Sequence, residues 1–281
     1  MVEFQPLRQL DVLMFKEWTG IMIDFSFSIA ELEYFLLVFT RVTCFIYIAP
    51  FYGMSNTPRR IKIGLGFFVS ILLYFMLTPH TEIVYHSVEG YAVVVLKEAV
   101  TGLLIGFGAN ICVSIIALAG QITDMDIGLS MATLMDPTTR EMISVSGGFY
   151  QYVITLMLIV SGMHRFILRA LVDTYTLIPV NGAVFHESAL LQAMIKFMND
   201  YIIIGFRICL PIFVVILLLN VILGILAKVA PQLNMFSVGM QIKILVGLAV
   251  MFLTSSMLPG AADFIFTEMK RMMVAFVEGM M

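Results

Sequence analysis

Charge is scarce in this sequence. Asp, Glu, Lys and Arg together make up 12% of its 281 residues, against about 25% in soluble domains. The net charge is −3 and no basic block or tail interrupts it, which removes the electrostatic footprint that a nucleic-acid binder needs. Cysteine is equally sparse. Cys44, Cys112 and Cys209 each sit inside an apolar run with no CxxC spacing, so they read as small buried hydrophobes and not as a zinc or disulfide framework. The start, Met1-Val2-Glu3-Phe4, has no basic region followed by a short apolar core and a small-residue cleavage site, so no cleaved signal peptide is expected.

Catalytic motifs are missing as well. His186-Glu187 opens like HExxH, but position 190 is Leu, so the second zinc ligand is absent. Gly106-Phe107-Gly108 is followed by Ala109 where an intramembrane aspartyl protease would carry aspartate. Ser161 and His164 lie close together without a nucleophile elbow or an orienting acid. No phosphate-binding loop or dinucleotide fingerprint occurs. The chain reads as a non-enzyme with no cofactor and no metal, and any energy source must come from a partner or from the membrane potential.

What is abundant is apolar side chain. Hydrophobic residues make up 60% of the chain and mean hydropathy is +1.00. A soluble core of this length cannot hide so much apolar surface, so helices must face lipid or the apolar faces of partner subunits. About six apolar segments, near 32–50, 61–77, 91–119, 147–162, 202–226 and 242–258, reach or approach the roughly 20 residues that cross a bilayer. They lack period-two alternation, so an all-α membrane-type fold is expected. An amphipathic tail, 264–281, follows. No internal repeat and no Ser/Gly linker divides the chain, which reads as one domain.

The charges do not orient these segments cleanly. Arg59, Arg60 and Lys62 favour a cytoplasmic first loop, and alternation then puts Arg140, Lys228 and Lys243 on that side. It also puts Arg165, Arg169, Lys270 and Arg271 on the other, while Arg41, Lys97-Glu98 and Arg207 lie within or beside runs. Two explanations stay open: independent crossings with weak bias, or hairpins packed on protein. Arg207 stands four residues before Pro211, which is expected to kink its helix, and seven after Asp200, on the same helical face. It either snorkels to an interface or pairs with another chain. Gly102 and Gly106 form a GxxxG spacing that allows close helix approach, although ordinary packing of small residues is the simpler account.

Residues 120–148 are too polar to cross lipid and too apolar for an ordinary surface loop. They read Gly120-Gln121-Ile122-Thr123-Asp124-Met125-Asp126-Ile127-Gly128-Leu129-Ser130-Met131 and, further on, Asp136-Pro137. Irregular backbone at membrane depth survives only when buried in protein or lining a cavity. A movable plug in a conduit is one reading. A plain connector with a helix start at Asp136-Pro137 is the other, and on the residues alone it is the simpler. A second polar link, Pro231-Gln232-Leu233-Asn234 with Gly239 beyond it, separates the last two apolar runs.

Three blocks, in this order, resemble the R-type (SctT) subunits of the bacterial type III protein export gate, and more closely its flagellar branch. They are 41–66 with Pro58-Arg59-Arg60-Ile61-Lys62-Ile63-Gly64, 119–137, and 217–247 with Pro231-Gln232-Leu233-Asn234 and Lys243. Together they cover roughly 25–260. The resemblance implies a domain at 25–262 between an N-terminal extension, 1–24, and a C-terminal tail, 263–281. It implies helical hairpins packed side by side in a superhelical assembly at the inner membrane, within the flagellar basal body. The partners implied are P-type and Q-type subunits (FliP and FliQ), a B-type export switch subunit, membrane lipid, and unfolded export substrates in transit. It carries a pore-plug role to Gly120, Gln121, Asp124, Met125, Gly128 and Met131, although Asp124 and Asp126 are more acidic than an apolar seal would be. It carries subunit packing to Pro231, Gln232, Asn234, Gly239, Lys243 and Arg207. The competing reading is a stand-alone transporter of ions or small solutes that uses Asp200 and Arg207.

Overall fold

The first described element owes both its ends to local chemistry. Helix α1, Ile29–Ile48, begins at Ser28, whose backbone N–H donates to the Glu31 carboxylate at 3.2 Å. It stops at Ala49, which is extended (φ −55°, ψ 138°) because Pro50 crowds the residue before it. The computed structural model describes residues 28–281 apart from 55–56, 80–84, 86, 131, 136–141, 231 and 233. The expected extension therefore lies outside the described residues.

A tight turn leads to α2, Arg59–Met76, which starts behind Pro58 and packs back on α1. Helix α3, Val88–Ile127, follows; the Ser87 hydroxyl caps it by accepting from Gly90 N–H at 3.2 Å. It ends where Gly128 turns left-handed (φ 94°), and the N–H groups of Gly128 and Leu129 both donate to the Asp124 carbonyl. A small antiparallel hairpin comes next, β1 Thr133–Met135 with β2 Met142–Ser144, Leu134 opposite Ile143. These strands are a local exception to the expected all-helical chain.

Helices α4, Val145–Val160, and α5, Met163–Leu177, meet at a 64° bend, where Gly162 takes a positive φ of 81°. Helix α6, Glu187–Val229, stays continuous through Pro211, so the proline does not divide it as a break would. Asn234 caps α7, Met235–Thr254, and a single 3-10 turn, Ser255–Met257, joins it to α8, Leu258–Glu278. The chain end is pinned: Val184 and His186 N–H groups donate to the carbonyls of Met280 and Gly279.

Helix α3 is the central post, packed against α1, α4, α6 and α8. The core joins Leu37, Phe45, Ile105, Ile115, Ile154, Ile167 and Leu171 to Ile265, Met269 and Phe276 of α8, all fully or nearly fully buried. The stretch expected as an amphipathic tail thus presents its apolar face to the core. Three helical stretches, Val88–Ile127, Glu187–Val229 and Ser237–Glu278, are long and apolar enough to cross a membrane, and α4–α5 adds a fourth if the bent pair is one span. The α1 and α2 windows carry too much charge to join them, through Glu31, Glu33 and Arg41 and through Arg59, Arg60 and Lys62. At 1.5 Å per residue α3 and α6 are about 60 and 65 Å long, roughly twice the hydrocarbon core of a bilayer. Each therefore extends well beyond the apolar layer if it crosses one.

Candidate functional site

The polar end of α3 is helix, not irregular backbone: Gly120 to Ile127 belong to its last two turns. That corrects the reading of 120–148 as one irregular stretch. Gly120 faces α4 so closely that a Cβ there would stand 2.1 Å from the Gly147 Cα, so the two helices touch through backbone. One turn on, Asp124 is buried, and both its carboxylate oxygens lie 3.2 Å from the Ser146 N–H that donates to them. The amide belongs to the first turn of α4, where the helix dipole favours an anion. An acid that looked out of place in a seal therefore fastens α3 to α4.

The same turns present a second face. Gln121 and Met125 are exposed, Met125 at 71% of its surface, and Gly128 is exposed in its left-handed turn. Met131 lies outside the described residues. The structure thus divides the expected plug residues between an inner pair, Gly120 and Asp124, and an outer set, Gln121, Met125 and Gly128.

Helix α7 crosses this end of α3. A Cβ on Gly247 would meet Ile127 Cγ1 at 2.5 Å, and one on Gly128 would lie 3.9 Å from Met240 Cγ. Met240, Lys243 and Gly247 share one face of α7, so Lys243 is directed at the α3 end, and its charge reaches the Asp126 carboxylate. Asp126 Oδ2 is shielded from solvent and has no hydrogen-bond partner among the described residues. Gly239 is buried, with Leu223 of α6 3.4 Å from where its Cβ would be, so it lets the two arms of the α6–α7 hairpin close. Asn234 caps α7 by accepting from Ser237 N–H at 3.5 Å, Gln232 is exposed, and Pro231 lies outside the described residues. Beyond Ile216 the hairpin is largely uncovered: Leu217, Leu218, Val221, Ile222, Leu245 and Phe252 are all exposed.

Arg207 is exposed, with its guanidinium 5.8 Å from the Phe264 ring centroid. No ion pair joins it to Asp200 among the described residues. Among those residues, too, no group of three His, Cys, Asp or Glu could hold a metal ion.

One constellation escaped the sequence reading. Arg41 of α1 and Glu98 of α3 are completely buried and paired through Nε–Oε2 at 2.5 Å and Nη2–Oε1 at 3.0 Å. Arg41 also donates to the carbonyls of Ile178 (2.8 Å) and Pro179 (3.3 Å), and Glu98 accepts from Asn181 N–H at 2.8 Å. The guanidinium lies 4.3 Å from the Tyr175 ring centroid, while Tyr175 donates its hydroxyl proton to the Val38 carbonyl. The GxxxG pair makes room for this: Cβ atoms would stand 2.2 Å from the Arg41 carbonyl oxygen at Gly102 and 2.9 Å from that of Phe45 at Gly106. The available signal was two opposite charges inside apolar runs, one of them a turn before that glycine pair.

With this geometry in view, the comparisons with known proteins are decisive. The family model for bacterial export proteins, family 1, matches residues 32–269. The chain belongs to this family. Its relatives include the flagellar biosynthetic protein FliR of Bacillus subtilis, 29% identical over 228 residues that cover 80% of this chain and 86% of the relative. The FliR protein of Pectobacterium carotovorum is 28% identical over 234 residues, 83% of this chain and 88% of the relative. That of Escherichia coli is 26% identical over 228 residues, 81% and 86% of the two chains. The match begins inside α1 and ends inside α8, so it spans the helical core. The chain is a flagellar-type bacterial export protein with transmembrane-type helices.

Proposed function

We propose that this protein is a non-enzymatic channel component of the flagellar type III export apparatus, seated in the inner membrane at the basal body. With P- and Q-type subunits it forms the gate through which unfolded substrates pass, and a B-type switch subunit docks on the assembly. The observation that carries this reading is the export-family match over 32–269. The bare α6–α7 hairpin supports it: a long apolar surface of this kind needs covering by lipid or by the helices of neighbours in a superhelical assembly. In this reading the segment that leaves α3 at Gly128 is the plug, and Gly120 and Asp124 anchor its base to α4. Gln121 and Met125 face the conduit. Gln232 and the exposed residues around Gly239 and Lys243 belong to the hairpin's docking surface.

Two measurements test it. A strain lacking the chain should fail to secrete flagellar proteins, and normal secretion would refute the assignment. In the assembled complex, Gly128→Asp or deletion of 124–128 should raise leakage of small solutes. Unchanged leakage with assembly intact would remove the plug role while leaving the export role standing. A purified chain that moves solute by itself, with flux abolished by Asp200→Asn or Arg207→Gln, would favour the stand-alone transporter.

A further inference from the structure

The bend between α4 and α5 holds a cavity that the export reading does not use. It measures about 450 Å³ and is lined by Ser161, Gly162, Arg165, Phe166, Arg169 and Phe266. Arg165 and Arg169 stand one turn apart on α5, so their side chains share a face. Lys270 of α8 stands beside this lining, with its Nζ 3.9 Å from the Phe266 ring centroid and 5.0 Å from that of Phe166. The two rings meet edge to face at 5.9 Å. Three cations from two helices therefore gather over an aromatic floor.

Asp173 stands one turn beyond Arg169 on α5 but makes no ion pair with it. Neither arginine nor Lys270 forms an ion pair among the described residues. No acid is among the described residues that line the cavity, and Glu268, two residues before Lys270 on α8, is engaged by Arg271 at 2.6 Å. Like charges one helical turn apart repel, so the arrangement is more stable with an anion between them. Guanidinium forks match the oxygens of a phosphate group bidentately, and an ammonium adds a point charge. The floor is aromatic, and Leu156, Ile159 and Val160, at the end of α4 just before Ser161, are all exposed, Val160 at 80%.

We propose that this cavity binds a phosphate group through Arg165, Arg169 and Lys270, and that an anionic phospholipid supplies it with its chains along the end of α4. Basic pockets between membrane helices take such headgroups, and the exposed α4 side chains give the acyl chains a surface that a free phosphate ion would not use.

The test is native mass spectrometry of the full-length chain in detergent, titrated separately with phosphatidylglycerol, phosphatidylcholine and inorganic phosphate. Phosphatidylglycerol should bind and phosphatidylcholine should not. The Arg165→Gln/Arg169→Gln variant should bind phosphatidylglycerol at least about tenfold more weakly, since each basic side chain near an anionic headgroup accounts for a factor of several. Arg165→Lys/Arg169→Lys, which keeps the charge, should retain most of the affinity. Phe266→Ala should weaken the lipid and leave inorganic phosphate unchanged. Binding of inorganic phosphate with the same arginine dependence, and none of lipid, would keep the phosphate site and overturn the lipid as its source. If the double glutamine variant misfolds by circular dichroism, Lys270→Gln replaces it, with a loss of several-fold expected. Equal phosphatidylglycerol binding by the parent and a folded charge-removal variant, with no inorganic phosphate bound, would overturn the proposal.

Discussion

Helix α3 carries a buried carboxylate near each end, and the two are treated differently. Glu98, close to the start, is sealed between α1 and the 178–181 turn, with its charge matched by Arg41 and its remaining valence taken by Asn181. At the far end Asp124 is held by one α4 amide, while Asp126, two residues on, keeps an oxygen without a partner among the described residues, with Lys243 within electrostatic reach. The first end is built to stay shut. The second is built from weaker, fewer and longer contacts, next to a left-handed glycine and a hairpin that is mostly bare. Local opening free energy falls where buried contacts and satisfied hydrogen bonds are few, so the α3–α7 end is expected to open more readily than the Arg41–Glu98 end.

The largest expected effect comes from breaking the sealed end. Glu98→Gln or Arg41→Met leaves an uncompensated buried charge or a broken network, which costs about 3–5 kcal/mol. Thermal unfolding in detergent should show it as a large drop in midpoint or as loss of the folded chain. The double variant Arg41→Met/Glu98→Leu should recover much of the loss, because a well-packed apolar pair replaces a buried ion pair at little cost. Failure of the double variant to recover would mean that the hydrogen bonds to the 178–181 turn carry the stability.

Next comes the close approach of α3 and α4. Gly120→Val puts side-chain atoms where the Gly147 backbone stands, and overpacking of this kind costs about 1–3 kcal/mol. It should lower stability and accelerate proteolysis between α3 and α4. A fully stable Gly120→Val would show that the two helices separate easily. The smallest effect is at the loose end. Lys243→Gln should change stability by less than about 1 kcal/mol, because the pair is only partly buried and makes no direct salt bridge. Its readout is solute leakage through the assembled gate, which should shift if α7 steadies the segment leaving α3. An effect on stability as large as that of Glu98→Gln would erase the contrast between the two ends.

Some local signals were legible in sequence, and long-range pairing was not. The apolar runs and the Gly102–Gly106 spacing showed within a few residues, whereas the caps at Ser87 and Asn234 and the stop at Gly128 went unread, and the helix start expected at Asp136-Pro137 lies outside the described residues. Arg41 and Glu98 are 57 positions apart, and only the fold brings them together, so they read as stray charges in apolar runs. Residues 120–127 read as too polar for a helix in a membrane-type chain because the group that satisfies Asp124 is an amide of another helix. The β1–β2 hairpin, with three residues in each strand, is too short for any alternation to show. The apolar runs at 202–226 and 242–258 were plain, yet their exposure depends on what surrounds them.

What surrounds them is the central question, and one measurement addresses it most directly: co-expression of the tagged chain with P- and Q-type export subunits, detergent purification and native mass determination. The account predicts a discrete complex containing all three, with the exposed face of α6–α7 protected from hydrogen exchange relative to the isolated chain. A stable chain that leaves both partners behind would contradict it.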